Sequence, residues 1–562
     1  MRVLSRGSAA VRSLLLVLGI VGVVALTACG QGGSATPGSA SRGGSVTLVP
    51  SPKGPWTINF NPLISGNNSL PGTQGMIYET LLYFNRLDGS IKPWLASSYK
   101  WSSDATSLTF TLRPDVKWSD GQPFTSADVL FTLNLSKQYP ALDLNSEWQA
   151  IQDVSAPDAQ TVVVTFKKPA VPMLWYIAGQ TYIVPQHIWQ TKGDPTLSTN
   201  DNPIGTGPFV LKSFNSQLYV MGRNPQYWQQ GKPYVDELRY PAYTSNSSAD
   251  LLLSQGQVDW TGLFTPQIRQ TYVNRDPEHN HYWFPPANIV MLYLNTAKAP
   301  FNQVAVRQAI STAIDREQIY KTAEAGYEPV AHPTGLILPN ESKYLQQEYS
   351  GMAYKQNGAQ VATLLEKAGF HKGKDGVYED ARGNRLSFKL NVVSGWTDWV
   401  TASQIMASNL KAVGIDASVN AVSFNQYISA LSQGSFDTSI SWTTPGPTPY
   451  YLYNALLNSS NTASIGAQAT SNFERWNDPT TDKLLAQYAG SIDPTVQQNA
   501  LNGLQQIMVD QVPSIPLVYG ATWYEYNTSR FVGWPDKDHP YAVPAPYSAP
   551  DAALVAMNIH RP

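Results

Sequence analysis

The sequence predicts an α/β fold. Helical 3.6-residue periods alternate with short apolar strands through the second half of the chain, strands dominate up to about Asn200, and glycines close several helices just before a strand begins. "SVTLVP", Ser45 to Pro50, alternates as a first strand. "SLTFTLRPDVKWSDG" reads as a strand, a turn, a short strand and an Asp120-Gly121 turn. "PFTSADVLFTLNLSKQ" opens with a Thr125-x-x-Asp128 cap and continues with helical spacing of Val129, Leu130, Leu133 and Leu135. "AQTVVVTFKKP" is another strand. Further on, "VAVRQAISTAIDREQIY" places Val306, Ile310, Ala313 and Ile314 on one helical face. "SFKLNVVSG" is a strand, followed by a helix that Gly414 stops and by the strand "IDASVNAV". A second helix, stopped at Gly434, precedes the strand "FDTSISW", and a third precedes "SIPLVYG". This alternation predicts a largely parallel sheet, with ligands held in loops beyond the strand ends.

Composition narrows the function. The 562 residues suffice for several domain-sized units, and the formal charge of −2 offers no basic field for nucleic acid. Charged residues make up 14%, against a usual quarter, while aromatics reach 11% with 16 Trp and 30 Tyr. Contacts made by such a surface are polar and neutral rather than ionic.

The N-terminus carries an address. Arg2, Arg6 and Arg12 precede an apolar run from Leu14 to Leu26, shorter than the roughly 20 residues of a spanning helix. It ends in "LTAC", which resembles a bacterial lipobox, and Cys29 is the only cysteine. Residues 1–28 are expected to be a lipoprotein signal peptide, with Cys29 the lipidated first residue of the mature chain. Residues 29–44 would form a Gly/Ser-rich tether that reaches about 20 Å from the membrane. The protein is then extracytoplasmic, lipid-anchored to the cell membrane and, with no second cysteine, stabilised by its core.

Two loops at strand ends carry tryptophan: "SGWTDW", Ser394 to Trp399, and "WTTPGPTPYY", Trp442 to Tyr451. Pro445, Pro447 and Pro449 exclude a regular helix from the second loop and stiffen it. It has no charge but abundant aromatic surface, so it is expected to line a ligand site. Candidate ligand-binding residues are Trp396, Trp399, Trp442 and Tyr450, with Trp56 in "GPWTINFNP" facing them across a cleft and Trp260 in "QVDWTGLF" as a further candidate. Trp101, Trp118 and Trp476 are expected in the core. Catalytic signals are absent or isolated: "SSYK" fits S-x-x-K, but no S-D-N or K-T-G follows, and "GTGPF" lacks a following G-K-[ST]. "HNH" would place His279 and His281 on one face of a strand, but two ligands are too few for a metal site. No enzyme activity, cofactor or metal is expected.

Several stretches in order resemble one family. They are "LASSYKWSSDATSLTFTLRPDVKWSDGQPFTSADVLFT", "PIGTGPFVL", "RNPQYWQQGKPYVDEL", "LYLNTAKAPFNQVAVRQAISTAIDR", "ATLLEKAGF" and "NDPTTDKLL". The chain is similar to the bacterial extracytoplasmic solute-binding proteins of family 5, the oligopeptide-, dipeptide- and nickel-binding components of ABC importers. The resemblance implies a two-lobed, periplasmic-binding-protein-like α/β fold (type II, cluster C) with an extra subdomain in the first lobe. Lobe I would comprise residues 45–77, 203–290 and 519–562, its subdomain 78–202, and lobe II 291–518, with "NIVMLYLN" and "SIPLVYG" crossing between lobes. It also implies a monomer that captures an oligomeric solute between its lobes and delivers it to permease and ATPase subunits. Peptide binders of the family commonly set an acidic residue against the peptide's amine. The matching segment here, "WTTPGPTPYY", has no Asp or Glu, and the nearest acid, Asp437, sits on the preceding strand. That segment is instead similar to the oligosaccharide-binding, cellobiose-type branch. Aromatic rings cover sugar C–H faces, and Asn, Gln and backbone groups pair with hydroxyls. An oligopeptide remains the alternative ligand, and a nickel or other metal chelate a remote one.

Overall fold

Strand Ser45–Val49 occupies the middle of a seven-stranded sheet, paired in parallel with Glu237–Pro241 on one side and Trp260–Thr261 on the other. Alternation explains its place, because Val46 and Leu48 are fully buried. Beyond Glu237–Pro241 the antiparallel strands Leu218–Arg223 and Phe209–Asn215 extend the sheet. Beyond Trp260–Thr261 it continues through Glu525–Asn527 and Asn280–Tyr282. In this computed structural model the described residues are 41–50, 55–64, 68–243, 246–394, 396–469 and 471–562. The expected signal peptide and Cys29 lie outside them. The end of the expected tether is docked: Gly43 N donates to Tyr234 O at 2.9 Å and Gly44 N to Asp236 Oδ2 at 2.9 Å. Gly43 and Gly44 reach this path at φ of +108° and +95°, which a side chain would resist.

A second, four-stranded antiparallel sheet runs in the order Ala96–Trp101, Ser107–Leu112, Thr161–Phe166, Ile151–Asp158. Leu108, Phe110, Leu112, Val162, Val164 and Phe166 form its buried face. Helix Ser126–Gln138 packs against it and starts with the capping box expected from Thr125 and Asp128, Thr125 N donating to Asp128 Oδ2 at 2.9 Å. Trp118 is fully buried, as expected of a core residue. Glu79 ties this region to the seven-stranded sheet's surroundings. Its carboxyl accepts from Trp94 Nε1 at 2.7 Å, Tyr227 OH at 3.0 Å and Trp228 Nε1 at 3.2 Å.

The helix-and-strand region forms a five-stranded sheet in the order Asp416–Val422, Ser387–Val393, Thr438–Trp442, Pro286–Leu294, Ser514–Ala521. Ser387–Val393 pairs in parallel with both neighbours. Pro286–Leu294, by contrast, is antiparallel to Thr438–Trp442 and to Ser514–Ala521. The sheet is therefore mixed rather than largely parallel. Periodicity does not distinguish the two, since a strand buried on both faces reads the same in either direction. Helices Thr397–Ala412 and Phe424–Gln433 end as expected, with Gly414 at φ +92° and Gly434 at φ +66°. The helix expected through "VAVRQAISTAIDREQIY" stops at Ala313. Ile314 is extended, and Asp315 caps a new turn by accepting from Gln318 N at 2.9 Å.

Several carboxyls are buried in this core. Glu341 has one hydrogen bond, from Ile337 N at 2.7 Å, and burial pushes its carboxyl up to about 8. Its folded-state pKa thus exceeds its unfolded value of about 4.3. The stability it contributes is full below that lower value and is lost as pH rises through about 8. Glu341→Gln removes this titration. Urea denaturation between pH 5 and 8.5 is expected to show the variant losing less stability than the parent over that range; parallel pH profiles would contradict the assignment.

Candidate functional site

The chain passes between the seven- and five-stranded sheets twice, at residues 283–285 and 522–524, and these passages are bonded to each other. Trp283 N donates to Tyr524 O at 3.1 Å, and Thr522 N donates to Pro285 O at 2.8 Å. Beside them opens a cavity of about 560 Å³. One wall comes from residues around the seven-stranded sheet, including Gly72, Gln74, Tyr547 and Ser548; the other carries Ala287, Asn288, Pro445 and Thr522. Among the described residues that line the cavity, Arg86 is the only charged side chain. The Oδ1 of Asn288 and the Oγ1 of Thr522, both buried, have no hydrogen-bond partner among the described residues.

The tryptophan loops meet because their strands are parallel neighbours, and none of the three indoles is among the residues that line the cavity. Trp396 lies 5.0 Å from Trp399 and 5.6 Å from Trp442, ring centre to ring centre, and Trp399 lies 5.9 Å from Trp442. Tyr427 supports the group, its hydroxyl donating to Ile440 O at 2.8 Å. Trp442 is 37% exposed, Trp396 half-buried and Trp399 buried. Trp442 pairs with Val290, two residues from the cavity-lining Asn288, and its loop reaches the cavity wall through Pro445.

The other candidates are packed inside the protein. Trp56 is buried, its Nε1 donating to Tyr240 O at 3.0 Å and its ring meeting Tyr219 edge-on at 5.4 Å. Trp260 is fully buried, and its Nε1 donates to Pro544 O at 2.9 Å. Tyr450 is buried and stacked on Tyr488 at 4.5 Å. In all three the ring faces are occupied by protein, and the indole donors of Trp56 and Trp260 are satisfied, so the ligand-contact expectation does not hold for them in this structure. The stiff-loop expectation is also corrected in part. Pro449 stands at the first position of helix Pro449–Leu457, where a missing N–H costs nothing. Tyr451 on that helix reaches the strand-rich region, its hydroxyl donating to Pro172 O at 3.0 Å and its ring lying 4.5 Å from Trp175.

Three features escaped the sequence reading. Arg86 sits in an ordinary-looking turn. Asn288 and Thr522 gain significance only from the two passages. A buried acid pair, Glu324 and Glu328, lies behind them, Glu328 Oε1 accepting from Ala521 N at 2.7 Å. Burial, then repulsion from Glu328, pushes the Glu324 carboxyl well up, and burial pushes Glu328 up. The histidines of "HNH" have local partners: His279 Nδ1 lies 2.9 Å from Asp276 Oδ2, and His281 Nε2 lies 3.1 Å from Glu278 O. Among the described residues no group of three or more His, Cys, Asp or Glu is placed to hold a metal ion. No helix among them is long and apolar enough to cross a membrane.

Two sheets joined by paired passages beside a cavity describe a two-lobed binding protein. The model of the bacterial extracellular solute-binding proteins, family 5 (middle), matches residues 90–464, and the chain belongs to that family of ABC-transporter substrate-binding proteins. It is 27% identical over 485 residues to a nickel-binding periplasmic protein of Escherichia coli, covering 83% of this chain and 88% of that one. A periplasmic oligopeptide-binding protein of an oligopeptide ABC transporter from Thermotoga maritima superposes with a TM-score of 0.85 at 26% identity, over 92% of this chain and 99% of that one. The mannohexaose-bound structure of that protein gives 0.78 at 27% identity, over 92% and 98%. These are similarities to two-lobed proteins named for binding, and they establish the fold class expected from the sequence.

Trp260→Ala removes a fully buried ring and its hydrogen bond. It is expected to lower unfolding free energy by about 3–5 kcal/mol in urea denaturation. A stability change under 1 kcal/mol, on the scale of a surface substitution, would return Trp260 to the list of ligand contacts.

Proposed function

We propose that this protein is the extracytoplasmic lipoprotein of an ABC importer and captures a neutral oligosaccharide between its two lobes. The observation that carries the reading is the Trp396–Trp399–Trp442 group, with one exposed indole, whose loop after Trp442 lines, through Pro445, a cavity with a polar and, among the described residues, almost uncharged wall. An exposed, buttressed ring is a stacking platform for a pyranose face, and neutral hydroxyls suit a site in which an unpaired charge would be costly. The mannohexaose bound to the Thermotoga maritima protein supports the same ligand class. The competing reading is an oligopeptide, favoured by the naming of that protein and of an oligopeptide-binding protein of Bacillus subtilis, 22% identical over 561 residues. We assign residues around the seven- and four-stranded sheets to one lobe and those around the five-stranded sheet to the other. Ligand contacts to both would favour the closed state.

Titration calorimetry with manno- and cello-oligosaccharides and with short peptides tests the ligand class. Oligosaccharide binding is expected, with a smaller radius of gyration in the bound state. Trp442→Ala is expected to weaken it by about 1–3 kcal/mol, a scale borrowed from base–aromatic stacking, with little change in the ligand-free melting temperature. A variant that binds normally but melts early would make Trp442 ordinary packing, and peptide binding without sugar binding would overturn the reading.

Anchoring is the second part of the proposal. Cys29 follows "LTA" and is the sole cysteine. Cys29→Ser is expected to release folded protein from the membrane fraction; full retention after a salt wash would place the anchor elsewhere.

A further inference from the structure

Arg86 stands where the two sides of the cavity meet. It lies in a turn in which Asn85 N donates to Ser90 O at 2.9 Å and Leu87 N to Asn85 Oδ1 at 2.9 Å. That turn abuts the five-stranded side, since Lys343 Nζ donates to Asp88 O at 2.8 Å. The guanidinium has one charged neighbour: its Nη2 is 3.5 Å from Asp551 Oδ2. Asp551 is completely buried. Its Oδ1 accepts from Tyr83 OH at 2.8 Å and from Val543 N at 3.0 Å, while Oδ2 has no hydrogen bond. Arg86 makes no other polar contact with the described residues, and its side chain is 30% exposed. A guanidinium has five N–H donors in a planar fork, so most of this donor capacity remains available to a ligand.

Two physical constraints act on what can bind there. The first is charge. Arg86 and Asp551 neutralise each other, and among the described residues no other charged side chain lines the cavity. Glu341, on the wall of the small adjoining cavity that Arg86 also lines, holds its proton near neutral pH because it is buried. A ligand carboxylate would bring an uncompensated negative charge into a closing cleft, and an ammonium would meet Arg86. The second is hydrogen-bond complementarity. Arg86 offers donors only, and the unpartnered Asn288 Oδ1 and Thr522 Oγ1 are buried within the wall, so the guanidinium is the hydrogen-bonding group that defines the ligand's chemistry here. Hydroxyl oxygens accept from such a fork without bringing charge.

We infer that Arg86 is a specificity-determining ligand contact that donates its guanidinium fork to paired hydroxyl oxygens of an uncharged oligosaccharide, and that Asp551 is a positioning residue whose charge makes the site reject acidic sugars. The inference rests on the oligosaccharide reading and adds to it the charge class and the residues that set it. Asp551 never touches the ligand; it holds the guanidinium and cancels its charge. The selectivity therefore resides in the pair.

The test compares mannohexaose with the mannuronic acid hexamer of the same linkage, which differs by a carboxylate at each C6. In titration calorimetry the wild-type protein is expected to bind the neutral hexamer at least ten-fold more tightly. Asp551→Asn keeps an acceptor for Tyr83 and Val543 and leaves Arg86 unbalanced. It should shift the neutral-to-acidic affinity ratio by at least ten-fold toward the acid. Arg86→Lys keeps the charge that balances Asp551, so the fold is retained, but loses the fork; neutral-hexamer affinity should fall about ten-fold at an unchanged melting temperature. Equal wild-type affinity for the two hexamers, an unchanged ratio in Asp551→Asn, or full affinity in Arg86→Lys would each overturn the inference while leaving the oligosaccharide reading intact. Binding of neither hexamer would overturn the inference, and binding of no manno- or cello-oligosaccharide would overturn both.

Discussion

The pairing of the two passages between the sheets is the constraint on which the rest of the structure depends. Trp283 with Tyr524 and Thr522 with Pro285 make a short antiparallel tie, and strands Pro286–Leu294 and Ser514–Ala521 continue it into the five-stranded sheet. Two covalent connections bonded to each other resist sliding and twisting more than bending, a geometry suited to the hinge closure proposed above. The same tie brings Asn288 and Thr522 to the cavity wall. It also explains the mixed sheet: the strand that arrives and the strand that leaves lie side by side and run in opposite directions, and only the strands joined through helices run parallel.

Neutrality is the second theme. Glu79, Glu324, Glu328 and Glu341 are buried, and desolvation raises each carboxyl toward or above neutral pH. Around Glu79 three N–H and O–H donors oppose that shift by stabilising the anion. Around Glu324 the neighbouring acid adds to it. Among the described residues that line the cavity the one charge is Arg86, and its counter-charge is the buried Asp551. A cleft built in this way suits the proposed neutral ligand, as does a chain of only 14% charged residues.

The proline–tyrosine segment after Trp442 shows how one stretch serves two purposes. Its first residues expose an indole and line the cavity through Pro445. From Pro449 it becomes a helix whose tyrosines face protein: Tyr450 stacks on Tyr488, and Tyr451 joins Trp175 and Pro172 of the strand-rich region. Its aromatic content therefore reflects packing between regions as much as a ligand surface.

By itself the sequence determined the elements, their caps and the meeting of two tryptophan loops. The Thr125–Asp128 box, the glycines at 414 and 434 and the alternation in Ser107–Leu112 are local signals, set by backbone sterics and side-chain period within a few residues. Trp396 and Trp442 were legible as neighbours because ligand loops follow strand ends in an α/β sheet. Tertiary structure alone decided which tryptophans are buried. Trp56, Trp260 and Trp442 sit in similar polar, glycine- or proline-containing stretches, and their fates diverge because Tyr219, Trp534 and Pro544, distant in sequence, close over the first two. It also decided strand direction in the five-stranded sheet and the pairing of Arg86 with Asp551, 465 residues apart. Burial and long-range charge pairing depend on what the rest of the chain brings to a site, and no local pattern of residues encodes that.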